Sequence, residues 1–470
     1  MKEFLIQSNR KKPQFYKKFR LETFGMEFGR ERYLKQLLER EHNGLIKVIT
    51  GMRRSGKSFL MNELFYRILI RKGISEGQII RFAFDMDEDI DLLEPYFPDE
   101  PTRVLNERNE YVINARKFRA FIRDHTQGTE NYYLLLDEVQ LLEGFTGTLN
   151  GFLRHRNLDV YVTGSNSRFL SSDIASEFKG RGSVIHVLPL TFREYCEGMN
   201  LEPLKAWPDY LETGGLPLVA LMKTRNERMN YLKNLSEETY LKDIIQHHHI
   251  RKSAELGETF NIIASSIGSP VNVLRLTNTF RSVTKKDISD DTISTFIDYL
   301  EDSFLISKAQ RYDIRGRKYI GALNKLYFED VGVRNARLNF RQVEESHLME
   351  NILYNELRYR GYNVDVGEIS IREKTDRKDQ NGKTIYAQKA LEVDFVASNG
   401  SSKYYIQSAL SLTDTEKDAQ EKRSLYRIDD SFTKLIITKN GLHSRTDEKG
   451  VVVMDLFQFL MSDDYVHCQP

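Results

Sequence analysis

Gly51-Met52-Arg53-Arg54-Ser55-Gly56-Lys57-Ser58 is the stretch from which the architecture can be read. It matches G-x-x-x-x-G-K-[ST], directly after the apolar run Leu45–Thr50 (LIKVIT) and at the start of a helical pattern over Ser58–Ile70. The glycines let the backbone curl so that its N–H groups face phosphate oxygens, and the helix N-terminus adds its dipole. Lys57 is placed to reach β- and γ-phosphates, and the Ser58 hydroxyl to hold Mg²⁺. Gly51, Arg54, Ser55, Gly56, Lys57 and Ser58 are therefore the candidate phosphate contacts.

Working outward, Tyr132–Leu136 is a buried-strand pattern that ends in Asp137 and Glu138. Such a strand delivers Asp137 beside Ser58 as a second Mg²⁺ ligand and leaves Glu138 to polarise an attacking water. Further strand patterns are Gln78–Phe84, Val160–Thr163 and Val184–Leu188, with a helical pattern at Lys117–Arg123. Apolar strands between helices predict a parallel sheet covered on both faces. After Val160–Thr163 comes Thr163-Gly164-Ser165-Asn166-Ser167, where the Asn166 amide is a candidate to orient water beside the γ-phosphate. A polar turn is its plainer reading.

The 470 residues suggest about three domains. A hydrophobic content of 40% is enough to fill several cores and excludes a disordered, solvating chain. With 69 Lys+Arg against 68 Asp+Glu, the net charge of +1 excludes a general nucleic-acid coat but allows local basic patches. Two cysteines, Cys196 and Cys468, give neither a disulfide framework nor a cysteine zinc site. No run of 18 apolar residues is present, so no membrane span is expected, and a cytoplasmic setting is the default.

These residues resemble the AAA+/STAND-type P-loop ATPases. Within that group they resemble prokaryotic proteins carrying a winged helix and a C-terminal restriction-nuclease-like domain. The resemblance rests on Phe28-Gly29-Arg30-Glu31, the phosphate loop, LLLDEVQ, TGSNS, Gly180-Arg181 with Leu188–Phe192, Gly214-Gly215-Leu216-Pro217, and Lys325–Asp330. It implies an α/β P-loop NTPase sheet with a helical lid, a winged helix, and a C-terminal α/β domain of the PD-(D/E)xK type. The implied blocks are 1–230, 231–340 and 341–470. It also implies that Arg30 and Pro217 contact the nucleotide, that Arg181 is an arginine finger or sensor, and that ATP and Mg²⁺ are the ligands.

Two readings follow for the later blocks. In the middle block, helices precede β-like runs at Phe304–Tyr312 and Lys318–Phe328, joined at Asp313–Arg317, which is a winged-helix pattern. Its candidate recognition helix, Asp287–Asp302, carries six acids and no basic residue, so it repels a phosphate backbone. DNA contact is left to the wing: Arg311, Arg315, Arg317 and Lys318. In the last block, a nuclease-like site would draw on Glu350 or Glu356, Asp394 and Gln407. Ala409 stands where the usual lysine belongs, so a degenerate, binding domain is the expectation. Arg372–Gly382 reads as an exposed loop, and His247-His248-His249 as a solvated helix end, because consecutive histidines cannot converge on one metal.

The composite expectation is an ATPase acting as a conformational switch on its C-terminal domain, with an unknown protein partner and a homo-oligomer allowed. A DNA-processing ATPase/nuclease stimulated by DNA, and an ATP-binding scaffold with negligible hydrolysis, are the alternatives.

Overall fold

The computed structural model describes residues 28–107, 109–164, 178, 180–321, 324–378, 384–400, 402–412, 415–439 and 444–462. Helix α1 (Glu31–Glu39) leads into β1 (Ile46–Thr50), whose five residues are all buried. After the phosphate loop a helix opens at Lys57–Phe59 (α2), passes through a π-helical segment at Leu60–Phe65, and continues as Tyr66–Arg71 (α3). Then come β2 (Ile79–Ala83), the short α4 (Asp87–Ile90), and an antiparallel pair, β3 (Arg103–Leu105) and β4 (Tyr111–Ile113). Helix α5 (Ala115–His125) is capped by Asn114, and β5 (Tyr132–Asp137), α6 (Phe145–Phe152), β6 (Leu158–Thr163) and β7 (Gly182–His186) complete the first layer.

The strand order β2-β5-β6-β1-β7 is wholly parallel. Strand alternation sends Leu134 and Leu136 to one face and Tyr133 and Leu135 to the other, so each face has its own apolar core. This is the P-loop NTPase arrangement, with the phosphate loop at the carboxyl end of β1.

A helical segment follows: α7 (Phe192–Met199), α8 (Pro203–Thr213), α9 (Pro217–Leu221), α10 (Arg225–Asn234), a π-helical stretch at Leu235–Leu241, and α11 (Lys242–His247). Thr191 and Glu194 form a capping box that starts α7. Next come α12 (Ser253–Ser265), α13 (Val273–Thr284) and α14 (Asp290–Asp302). His248, expected in solvent, instead lies half-buried with its ring stacked 3.6 Å from that of Tyr299.

The hairpin of the middle block has an unexpected fate. Its base, β8 (Ile306–Ala309), pairs with β11 (Lys325–Phe328), and its outer part, β9 (Arg311–Asp313), pairs with β10 (Lys318–Tyr319). But β9 also pairs in parallel with β12 (Asn363–Lys378), so the hairpin supplies the first two strands of the C-terminal sheet. The expected boundary at residue 340 is thus crossed by backbone hydrogen bonds.

Beyond β11 lie α15 (Val331–Arg337) and α16 (Glu345–Tyr359), then β12, β13 (Thr384–Asn399), β14 (Ser402–Ala409), α17 (Thr415–Leu425), β15 (Thr433–Thr438), β16 (Arg445–Thr446), β17 (Val451–Asp455) and α18 (Leu456–Met461). The sheet order is β10-β9-β12-β13-β14-β15-β17-β16. The loop expected at Arg372–Gly382 is corrected over its first part: β12 runs on to Lys378, because Thr384–Lys389 opposite it completes the ladder, while 379–382 lie outside the described residues. Charged residues tolerate a strand whose edges pair, and Glu373 meets Lys389 at 3.1 Å across the hairpin.

Candidate functional site

The phosphate loop is a cradle that only glycine can complete at its start. Gly51 has φ 135°, and a Cβ there would lie 2.2 Å from the Val187 carbonyl oxygen. Arg54 and Gly56 also have positive φ, 70° and 95°. Lys57 is buried and donates from Nζ to the carbonyls of Gly51 (3.0 Å) and Met52 (2.9 Å), folding over its own loop. Burial pushes its ammonium down to about 8, opposed by Glu138 and Asp137. The buried Ser55 hydroxyl has no partner. An unpaired buried hydroxyl and a lysine held by two carbonyls fit an anion-binding loop.

Asp137 arrives at the end of β5, as its apolar run implied. Ser58 Oγ donates to Asp137 Oδ1 at 3.1 Å, and Asn62 Nδ2 to Oδ2 at 3.3 Å. The Thr163 hydroxyl, at the end of β6, donates to Oδ1 as well. Burial pushes the Asp137 carboxyl up to about 6, with the Thr163 hydrogen bond opposing it. Ser58 and Asp137 thus form the oxygen donor set a Mg²⁺ ion takes alongside phosphate. Glu138 has φ 52° and donates its backbone N–H to Asp137 Oδ1 (3.2 Å) and Thr163 Oγ1 (3.4 Å), while Gln140 donates to its carboxylate.

Pro217 stands against the loop: its Cγ is 3.5 Å from where a Cβ on Gly56 would be. On the lid side, Tyr240 OH donates to the Arg53 carbonyl (2.9 Å), and Arg53 pairs with Asp243 (2.6 Å). Two expected nucleotide residues are placed elsewhere. Arg30 is buried, with Nη1 on Glu194 Oε2 at 3.0 Å and Nη2 on the Leu188 carbonyl, so its donors brace the start of α7. Arg181 is exposed just before β7, and its carbonyl accepts from Ile46 N (2.9 Å), at the opposite end of β1 from the loop. Five residues of strand, about 16 Å, separate it from a phosphate bound by its own chain. Asn166 lies outside the described residues.

Sequence reasoning passed over Thr163, Asn62 and Gln140. Thr163 was the last residue of an identified strand, and its side-chain direction at a strand end was the available signal.

Residues 43–196 match the AAA domain family, and residues 204–344 match a domain of unknown function, DUF8612. The part of the chain that carries the phosphate loop is thus similar to AAA domains. Over most of its length the chain is similar to an uncharacterized protein of Haemophilus influenzae, 29% identical over 440 residues that cover 92% of this chain and 98% of that one. It is also similar to the uncharacterized protein MJ1544 of Methanocaldococcus jannaschii, 25% identical over 393 residues, 80% of this chain and 77% of the relative. Two Aeropyrum pernix structures align more distantly. The ORC2 protein in ADPNP–ADP complexes shares 12% identity at TM-score 0.34 over 67% of this chain and 92% of that chain. The ORC1 protein in complex with DNA shares 15% at TM-score 0.28 over 66% and 91%.

Outside the phosphate-loop region, the C-terminal sheet gathers a second set of expected residues. Glu350 of α16, Asp394 of β13 and Gln407 of β14 come together, with Gln407 Oε1 accepting from Asp394 N (2.9 Å) and Asp394 Oδ2 from Ser408 N (2.8 Å). Glu356 does not join them; it pairs with Arg360 at 2.7 Å, one turn on. An ammonium does reach this cluster, from Lys325 of β11, which also meets Glu392. Among the described residues no group of three or more His, Cys, Asp and Glu is arranged to hold a metal ion. Of the wing cations, Arg311 is paired with Glu368, and Arg315 donates to the carbonyls of Ser370 (3.1 Å) and Arg427 (3.4 Å); Arg317 and Lys318 are exposed.

Proposed function

We propose that this protein binds ATP with Mg²⁺ at the phosphate loop of its AAA domain and hydrolyses it as a conformational switch acting on the C-terminal sheet. The observation that carries the reading is the Ser58–Asp137 contact at 3.1 Å with Glu138 beside it. Mg²⁺, held by Ser58 and Asp137, supplies neutralisation of phosphate charge. Lys57 exchanges its two carbonyl contacts for phosphate oxygens, and the loop amides from Gly51 to Lys57 hold the remaining charge. The unpaired Ser55 hydroxyl and Arg54 lie on the same loop, and Pro217 closes its side. Glu138 takes the hydrogen bond of a water placed in line with the γ-phosphate and accepts its proton, giving ADP and phosphate. Asn166 belongs to this reading as a second water-orienting group, and Arg181 as a group acting across an interface between copies of the chain. Arg30 then supports the fold of the site and does not touch the nucleotide.

Residues 231–340 are read as a winged-helix block: α12, α13 and α14 precede the hairpin, and Val271 forms an isolated antiparallel bridge with Asn324. The C-terminal sheet is read as nuclease-like and non-cleaving, since Lys325 already pairs with Glu350, Glu392 and Asp394. Among the described residues no helix is long and apolar enough to cross a membrane, and a cytoplasmic setting is part of the reading.

Phosphate release measured with and without duplex DNA tests all of this. Wild-type protein should turn over ATP, Glu138→Gln should lose about 10²-fold or more, and Lys57→Ala should lose nucleotide binding. Wild-type turnover equal to that of Glu138→Gln sinks hydrolysis, and strong stimulation by DNA favours a DNA-processing role. Mg²⁺- or Mn²⁺-dependent cleavage of DNA that disappears in Asp394→Ala would reverse the reading of the C-terminal sheet.

A further inference from the structure

Two adjacent acids just past β11, Glu329 and Asp330, reach the phosphate loop from different sides. Both are buried. Glu329 Oε1 lies 2.8 Å from His186 Nε2, and His186 Nδ1 lies 3.2 Å from the hydroxyl of Thr50, the residue immediately before Gly51. The imidazole links the two: Nε2–H donates to Glu329, and Nδ1 shares a hydrogen bond with the Thr50 hydroxyl. Asp330 accepts from Gly215 N at 2.8 Å and Val333 N at 3.0 Å, fixing the turn that presents Pro217 to Gly56.

Phe328 and Glu329 are gripped from the C-terminal side by α16. Asn351 bonds both the N–H and the C=O of Phe328 at 2.7 Å, and Asn355 donates to the carbonyls of Phe328 (2.9 Å) and Glu329 (3.1 Å). Arg358 donates to Glu329 Oε1 at 3.2 Å and is anchored on Ser307 Oγ at 2.8 Å. One carboxylate oxygen thus joins α16 to the floor of the loop. The second oxygen, Oε2, is buried with no partner, so the orientation of Glu329 depends on Arg358 and His186. Burial opposes ionisation of Glu329, but His186 and Arg358 outweigh it and hold the carboxyl below its ordinary range.

We propose that Glu329 is a positioning residue for the nucleotide: the relay Arg358–Glu329–His186–Thr50 sets the phosphate loop from α16. Nucleotide affinity then depends on a helix of the C-terminal block that touches no nucleotide. Linkage makes the effect reciprocal, so nucleotide binding must tighten the grip of α16 on Phe328 and Glu329. The inference rests on the nucleotide reading of the loop.

Equilibrium binding of N-methylanthraniloyl-ATP with Mg²⁺ to the full chain tests both and separates them. Glu329→Gln and Arg358→Met are each expected to raise Kd about tenfold, equivalent to ~1.4 kcal/mol. The double variant should be no weaker than the worse single one, and Arg358→Lys should recover most of the affinity. If wild type binds and Glu329→Gln stays within twofold, or if the two changes simply multiply, the relay is overturned while the nucleotide site stands. If wild type binds no nucleotide, the site reading itself falls and takes the relay with it. Should Glu329→Gln fail to fold, hydrogen exchange of wild type decides: slower exchange at 351–358 with nucleotide is expected, and unchanged exchange refutes the relay.

Discussion

Lys325 of β11 places its ammonium 2.9 Å from Oε1 of Glu350 on α16, almost wholly out of water. Glu392 is 2.6 Å away and Asp394 3.7 Å, and Tyr327 OH donates to Glu350 at 2.6 Å. Burial pushes the Asp394 carboxyl up to about 7 against the attraction of Lys325. Removing the ammonium while keeping its volume leaves these carboxylates uncompensated. Lys325→Met is therefore expected to lower unfolding stability by about 3–5 kcal/mol, read by urea denaturation, and Asp394→Asn in that background to restore part of it. A loss below about 1 kcal/mol would mean the cluster is solvated in solution.

At Gly51 both the dihedral and the space forbid a side chain. Gly51→Ala meets the Val187 carbonyl at 2.2 Å and carries φ 135°. Dihedral strain alone costs about 1–3 kcal/mol. The expected outcome is a lower melting temperature together with loss of nucleotide binding, checked by calorimetry and by titration with the fluorescent nucleotide.

Thr163→Val removes the hydroxyl that donates to Asp137 while keeping the shape of the strand end. Supporting hydrogen bonds of this kind are worth about 10–100-fold in metal affinity. Turnover at low Mg²⁺ should fall by that order and recover as Mg²⁺ is raised. A defect that excess Mg²⁺ leaves untouched would place Thr163 in the water-orienting step.

His248 supplies a pH test away from the nucleotide. Burial, with His247 and His249 nearby, pushes its imidazole down to about 4, and its Nε2 has no partner. The native ring is neutral where the unfolded one, near its ordinary value of about 6.5, is charged. Between these two values the unfolded state binds more protons, so stability rises with pH across the window and is lost as pH falls from about 6.5 towards 4. His248→Phe keeps the stacking on Tyr299 and should flatten the melting temperature between pH 4.5 and 7.5. An equally steep profile in the variant would assign the acid sensitivity to other groups.

The phosphate loop, the acid pair and the strands of the first sheet were legible because each is local: a fixed spacing, or a run of apolar residues, read within ten positions. Pairing between distant segments was not. Nothing near Arg311 announces that β9 joins β12, since a three-residue strand has no periodicity to read and its partner lies 55 residues on. Lys325 was missed for the same reason. Ala409 stands two residues after Gln407, and the ammonium that meets the cluster belongs to β11, far off in sequence. Arg30 was legible as notable but not as structural, because its partner Glu194 is 164 residues away.

The borrowed strands bear on how the chain can be divided. A fragment starting at 341 would leave β12, 16 residues long, without its neighbour β9 and with a row of open backbone donors and acceptors. Such an edge invites pairing with other molecules. Expressed alone, that fragment should come out insoluble, and one starting near 304 should not. Over longer times the same stitching makes the last third a poor cassette for recombination: it can be inherited only together with the hairpin that begins its sheet.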